Sequence, residues 1–466
     1  MDSATIDRAT IDRATIDKTL ANVYRGQKWI VATDVAAGAT SAIRYMIDRG
    51  ASEVMLVAAV EGVGELPDVP THYTRTQGTT GMARVMDGVR AFDAAVTRPS
   101  RTLRAVIDRF DPENEALAIA GPFSVATEIA GRHVYGAKRP EWAALEDKMI
   151  AEELWEAAGI NHAPATVVSV ADAARAAVEM ATLEGTVWVA DNREGWHGGG
   201  DYVRWVRSVN DMADALDWFG VHADRVRVMP FLEGIPCSIH GFVTRDGVAV
   251  LRPLEMLVLR RTDRTGFVYA GAANHWDPPD LDRDAMRNAA RAVGNVLRDR
   301  VGYLGGYGVD GVLTEDGFLP TELNPRLSTG HGIVAHVADL PLEAMARAVV
   351  EGSLDLAAAE LEATLVERGD AVRGGGVRYS IAEVQPDRSV DICFEEGGAV
   401  VAEEENREAV LATARSPQGG IVLVNFVADR MPRGRSVAPL AVAALSHARA
   451  AWSIPIPPLE AAPEVR

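Results

Sequence analysis

Cysteine is nearly absent. Cys237 and Cys393 are the only two in 466 residues, too few and too far apart in sequence for a disulfide framework or a thiolate zinc site. Lysine is almost as scarce: Lys18, Lys28, Lys138 and Lys148 are the full set, and every other basic residue is arginine. A lysine at a motif position therefore has few competitors. Positive charge is outweighed overall, with a formal net charge of -19, which repels nucleic acid and anionic membrane surfaces. A small anionic ligand is not excluded by this, because local cations and metal decide its binding. No apolar run approaches the ~20 residues needed to span a bilayer, and the first residues lack a charged-then-apolar secretion pattern. Neither a membrane nor a nucleic-acid partner is expected, and a reducing cytoplasm is the expected setting.

What is present is an ordinary globular composition, 48% apolar and 24% charged, in a chain long enough for roughly two to four domains. Residues 1–26 open with a five-residue repeat, Ala-Thr-Ile-Asp-Arg, that matches neither helix nor strand faces; they read as a flexible extension. Residues 27–140 alternate strand and helix: strands at 29–33, 54–58 and 117–122, helices at 41–48, 82–92 and 102–110. That alternation predicts a small, mostly parallel sheet. Thr76-Gln77-Gly78-Thr79-Thr80-Gly81 offers backbone amides that can cradle an anion. Residues 141–366 form the next unit. The Gly374-Gly375-Gly376 run marks a boundary before an α+β tail, 367–466, which either covers a substrate or mediates homodimerisation. Residues 269–274 read as a loop.

The most informative stretch runs from Gly308 to Arg326. Two apolar strands meet at Glu315-Asp316-Gly317, a turn suited to positive φ. Asp310 starts the first strand, and Glu322 and Asn324 stand two apart on the second, so alternation points them to one face. Two carboxylates and an amide oxygen are hard ligands suited to a divalent cation beside phosphates. Arg326 shares that face if the strand continues, and can hold a phosphoryl or carboxylate oxygen. Upstream, Asp147-Lys148 opens a helix that stops at Gly159, and an ammonium suits phosphate. Strand 186–190, a loop with Gly195, Gly198, Gly199 and Gly200, and a strand from Tyr202 make a flap whose amides can close over phosphates. Residues 226–234 are mostly apolar, with Arg227 and Glu233 as the charged exceptions, and the apolar ones suit a flat base.

In this order the motifs resemble the ATP-grasp superfamily, whose members couple ATP cleavage to joining a carboxylate and an amine. The order of elements is also similar to the pheganomycin-type peptide ligases. The resemblance covers roughly residues 29–350, and its most specific part is the Asp310 to Arg326 run. It implies an ATP-grasp fold with mixed α/β and α+β content, behind a parallel-sheet domain that helps form the substrate cleft. It implies ATP and Mg²⁺, with Mn²⁺ as a substitute, and small-molecule or peptide carboxylate and amine substrates. By resemblance Asp310, Glu322 and Asn324 hold the metal, Arg326 steadies the transferred phosphoryl group, and Lys148 with the Gly195–Gly200 amides holds the phosphates. Met229, Phe231, Leu232 and Glu233 fall on the adenine hinge, with Glu233 the nearest carboxylate for the ribose. One departure stands out: where the family usually has a second ATP-binding lysine, this chain has Ala190 or Asp191, leaving Arg193, Arg204 or His197 as substitutes. A phosphoryl-transfer enzyme without an amine step, or a non-catalytic nucleotide-binding protein, are the rival expectations.

Overall fold

The computed structural model describes residues 11–68, 71–76, 84–416 and 419–465. Its N-terminal unit is a four-stranded parallel sheet in the order Thr71–Arg75, Glu53–Val60, Lys28–Val35, Leu117–Ile119. Runs such as Trp29-Ile30-Val31-Ala32 are buried on both faces, which a continuous apolar strand requires. Alternation splits them: Trp29 and Val31 join one core with Ile43 and Met46 of helix Thr40–Asp48. Ile30 and Ala32 join the other, with Phe92, Leu103 and Ile107 from helices Val85–Thr97 and Arg101–Phe110.

One expectation for this part changes, and another falls almost wholly on residues not described. The opening repeat leads into a packed helix, Arg13–Tyr24, capped by Asp12 and burying Ile16, Leu20 and Tyr24. The pentad has no periodic face, but Ile16, Leu20 and Tyr24 stand four apart, and that spacing makes one. The candidate anion cradle lies outside the described residues except for Thr76.

Beyond the short antiparallel pair Glu128–Ile129 and Arg132–His133, residues downstream build two larger antiparallel sheets. The smaller has the order Thr166–Ser169, Arg225–Pro230, Thr186–Ala190, Val203–Val206. Its rear face packs Trp188, Val226 and Val228 on Phe219 of helix Val209–His222. The larger contains 12 strands. Hairpin strands Gly317–Asn324 and Gly305–Thr314 lie at one side, followed by Ile235–Val243, Leu254–Arg261 and Phe267–Ala273. The C-terminal strands continue the same sheet, starting with Gly375–Ile381 on Phe267–Ala273. Residues 269–273, expected as a loop, are therefore strand. The triple glycine is a seam within the sheet, since a Cβ at Gly375 would collide with Ala272 O and one at Gly376 with Val424 O. Among the described residues no helix is long and apolar enough to cross a membrane.

Candidate nucleotide and metal site

The hairpin closes through Thr314 opposite Gly317, with φ of +103° at Gly317, a backbone value open to glycine at little cost. Asp310 lies opposite Glu322 and Gly308 opposite Asn324. The ladder then shifts: Gly311 pairs with Pro320, so Thr321 is the extra residue of a bulge. Asp310 Oδ1 accepts from Ser238 Oγ at 2.6 Å, and Oδ2 accepts from Asn324 Nδ2 at 2.8 Å. Lys148 enters from the turn Lys148–Ile150, which is capped by Asp147. Its Nζ lies 2.9 Å from Glu322 Oε1 and donates to Leu323 O at 2.8 Å and Asn324 Oδ1 at 3.4 Å. The structure thus brings Asp310, Glu322, Asn324 and Lys148 together.

Burial, and then the charge of Glu322, push the Asp310 carboxyl up to about 6. Burial also works against ionised Glu322, but Lys148 outweighs it and holds that carboxyl below its ordinary value. A pair of carboxylates this close is under-compensated by one ammonium, and the Asn324 amide oxygen completes a set of hard donors. These residues fit a divalent cation. Among the described residues no group of three His, Cys, Asp or Glu side chains could by itself hold a metal ion.

Between the two sheets lies an apolar slot of about 180 Å³. Alternation along Arg225–Pro230 turns Val226 and Val228 into the rear core and leaves Arg227 and Met229 lining the slot. Val187, Val189, Met256 and Val258 form further walls, and Lys148 and Glu322 belong to the same lining. Phe231 and Leu232 line it too; Phe231 stacks on Trp205, ring centroids 4.6 Å apart, and its amide donates to Gly185 O at 3.0 Å. Glu233 sits behind this wall, accepting from Gly234 N at 3.2 Å and paired with Arg260.

The glycine loop is docked. Gly195, Gly199 and Gly200 have φ of +94°, +67° and +79°, and a Cβ at Gly198 would lie 3.5 Å from Arg326 Nη2. Glu194 accepts from Tyr202 Oη at 2.6 Å and Arg84 Nη2 at 3.2 Å, and pairs with His222 at 2.9 Å. Trp196 stacks on Phe123 of the N-terminal unit at 4.4 Å and 13°. Arg326 lies 4.2 Å over the other partner of that stack, the Phe123 ring. The condition under which Arg326 shares the face of Glu322 and Asn324 is not met: the strand ends at Asn324, and the guanidinium pairs with Glu146, which also takes Lys138 Nζ at 2.7 Å.

None of the expected substitute cations lines the slot. Arg193 pairs with Asp224 at 3.5 Å, Arg204 lies 3.8 Å over Trp218, and His197 stacks on Tyr202 with Nε2 against Ala190 O. Besides Lys148, and Arg260 which pairs with Glu233, the cation that lines it is Arg227, 1% exposed. Its signal in the sequence is one charge inside an otherwise apolar strand.

A larger cavity of about 730 Å³ opens where the parallel sheet reverses its winding, at the carboxyl ends of Lys28–Val35 and Leu117–Ile119. Thr33, Gly121, Lys138, Arg326, Ser328 and His331 line it. Ser328 Oγ lies 2.8 Å from His240 Nε2, and His331 Nε2 lies 3.1 Å from Gly241 O. Burial holds His331 down at about 4, so its ring is neutral.

Residues 146–330 match the family model described as an ATP-grasp domain. Among solved structures the chain is similar to pyruvate carboxylase T882A from Rhizobium etli: TM-score 0.56, 15% identity, 86% of this chain and 36% of that one. It spans about a third of that enzyme. It is also similar to a biotin carboxylase–βγ-ATP complex from Campylobacter jejuni, with a TM-score of 0.55, 13% identity and coverage of 87% and 88%. An ADP complex of N5-carboxyaminoimidazole ribonucleotide synthetase gives 0.51, 12%, 91% and 96%. At these identities the likeness reports fold. No curated protein matches the sequence.

Proposed function

We propose, from the match of residues 146–330 to the ATP-grasp domain model, that the chain is an ATP-dependent carboxylate–amine ligase. The observation that carries this is Lys148: it touches Glu322 and Asn324 while lining the apolar slot. A flat base suits the Met229, Phe231, Leu232 wall, and the phosphate tail suits Lys148 and the Gly195–Gly200 loop. Asp310, Glu322 and Asn324 would hold Mg²⁺, which supplies charge neutralisation to the polyphosphate.

The substrate acid belongs in the larger cavity, its carboxylate toward Lys138 and Arg326 and its body against apolar neighbours such as Leu327 and Ala335. Its oxygen attacks the γ-phosphorus, giving an acyl phosphate and ADP. An amine then attacks the acyl carbon, phosphate leaves, and an amide remains. Arg326 steadies the transferred group, and the docked loop keeps water from the acyl phosphate.

Incubation with ATP, Mg²⁺ and pooled carboxylic acids with amino acids or peptides, read by ADP release and product mass, tests this. An acid- and amine-dependent amide is expected. Glu322→Gln should reduce ADP release roughly 100-fold or more with an unchanged far-UV circular dichroism spectrum. ADP with a phosphorylated acid and no amide would make the protein a phosphoryl-transfer enzyme, and full turnover in Glu322→Gln would remove the metal assignment.

A further inference from the structure

The bulge that offsets Glu322 leaves Thr321 without a partner in the ladder, and an unpaired backbone carbonyl away from water is costly. Arg227 is its partner, donating from Nη1 to Thr321 O at 2.8 Å. The other side of the same guanidinium forks onto Glu152: Nε donates to the two carboxylate oxygens at 2.7 and 2.9 Å, and Nη2 also reaches Oε1. Arg227 starts from the interior of the small sheet, opposite Val167 and Val189. One planar group therefore ties together the strand Arg225–Pro230, the helix Ala151–Ala158 that follows Lys148, and the hairpin strand that carries Glu322.

The two strands line the slot, the helix starts three residues after Lys148, which lines it too, and bulges near active sites re-aim side chains. We infer that Arg227 is a positioning residue: it fixes the bulge at Thr321 and through it sets Glu322 against Lys148 across the slot. The inference rests on the nucleotide reading above. Lysine cannot replace it, because a single ammonium lacks the fork that serves Glu152 and Thr321 at once.

The test uses the full chain as wild type, Arg227→Lys, Glu152→Gln and the double variant. Mg-ATP binding is measured by titration calorimetry, and the divalent-ion dependence of ADP release by varying Mg²⁺. Arg227→Lys should weaken Mg-ATP binding by about 10-fold and raise the Mg²⁺ needed for half-maximal release by a similar factor, the size seen when partners of metal ligands are removed. The double variant should be little worse than the worse single one, because both residues serve one clasp. A merely destabilised chain would lose active fraction without moving the ion dependence. Unchanged Mg-ATP affinity and ion dependence in folded Arg227→Lys overturns the inference. Should that variant fail to fold, folded Glu152→Gln decides in the same way, through a smaller shift or none. Wild type that takes up no Mg-ATP would remove the nucleotide reading, and this inference with it.

Discussion

Glu146 is the residue on which the cation cluster depends. At 1% exposure it neutralises both Arg326 and Lys138. Burial opposes its ionised form, but Arg326 and then Lys138 outweigh burial and hold its carboxyl below the ordinary 4.5. Such a group adds stability above its unfolded value, and that stability is lost as pH falls through the folded one. Glu146→Gln should therefore cost roughly 3–5 kcal/mol at neutral pH, and the gap to wild type should narrow only below about 4.5. Urea unfolding at a series of pH values checks both points; a gap independent of pH would contradict them. Asp310, Glu322 and Asn324 were legible in the sequence because alternation along a short hairpin is local. Alternation carries Arg326 onto that face only if the strand continues, and it stops at Asn324, where Pro325, which has no N–H, follows the last ladder residue. Arg227 was passed over because its partners lie 75 and 94 positions away, and strand periodicity carries no information over such separations.

At the level of elements, the glycine loop is held by one aromatic stack as well as by the hydrogen bonds of Glu194 and of the Trp196 carbonyl. Trp196 on Phe123, with Arg326 beyond, joins the loop to the N-terminal unit and to the segment after the hairpin. A stacked pair contributes about 0.5–1.5 kcal/mol beyond buried area, enough to bias a loop while hardly affecting the fold. Trp196→Ala should leave the melting temperature within a few degrees and raise the ratio of ADP released to amide formed several-fold, as water reaches the acyl phosphate. An unaltered ratio would separate the stack from catalysis. The strand–loop–strand order was readable from composition. The docking was not, because Phe123 belongs to another unit and only the fold brings it near. Phe267–Ala273 escaped recognition for a different reason: Ala270, Gly271, Ala272 and Ala273 have weak strand preference, yet the bare Gly271 lets Gly376 O approach.

Across the whole molecule, the parallel and antiparallel parts were foreseeable from their hydrophobic periods, whereas the continuity of the large sheet was not. A glycine run has the composition of a linker, and only the pairing of Gly375–Ile381 with Phe267–Ala273 shows it as a seam. Gly375→Ala would set a methyl against Ala272 and Ala273 at a φ of +119°. It should destabilise the chain by about 3 kcal/mol or more, measurable as a lowered urea midpoint. A midpoint equal to that of wild type would show that the seam can relax. The joined sheet also bears on any attempt to trim the protein. Cutting before Gly374 would strip the cover from Phe267–Ala273 and offer its unpaired amides and carbonyls to the next molecule, so a shortened version should polymerise or precipitate where the intact one stays dispersed.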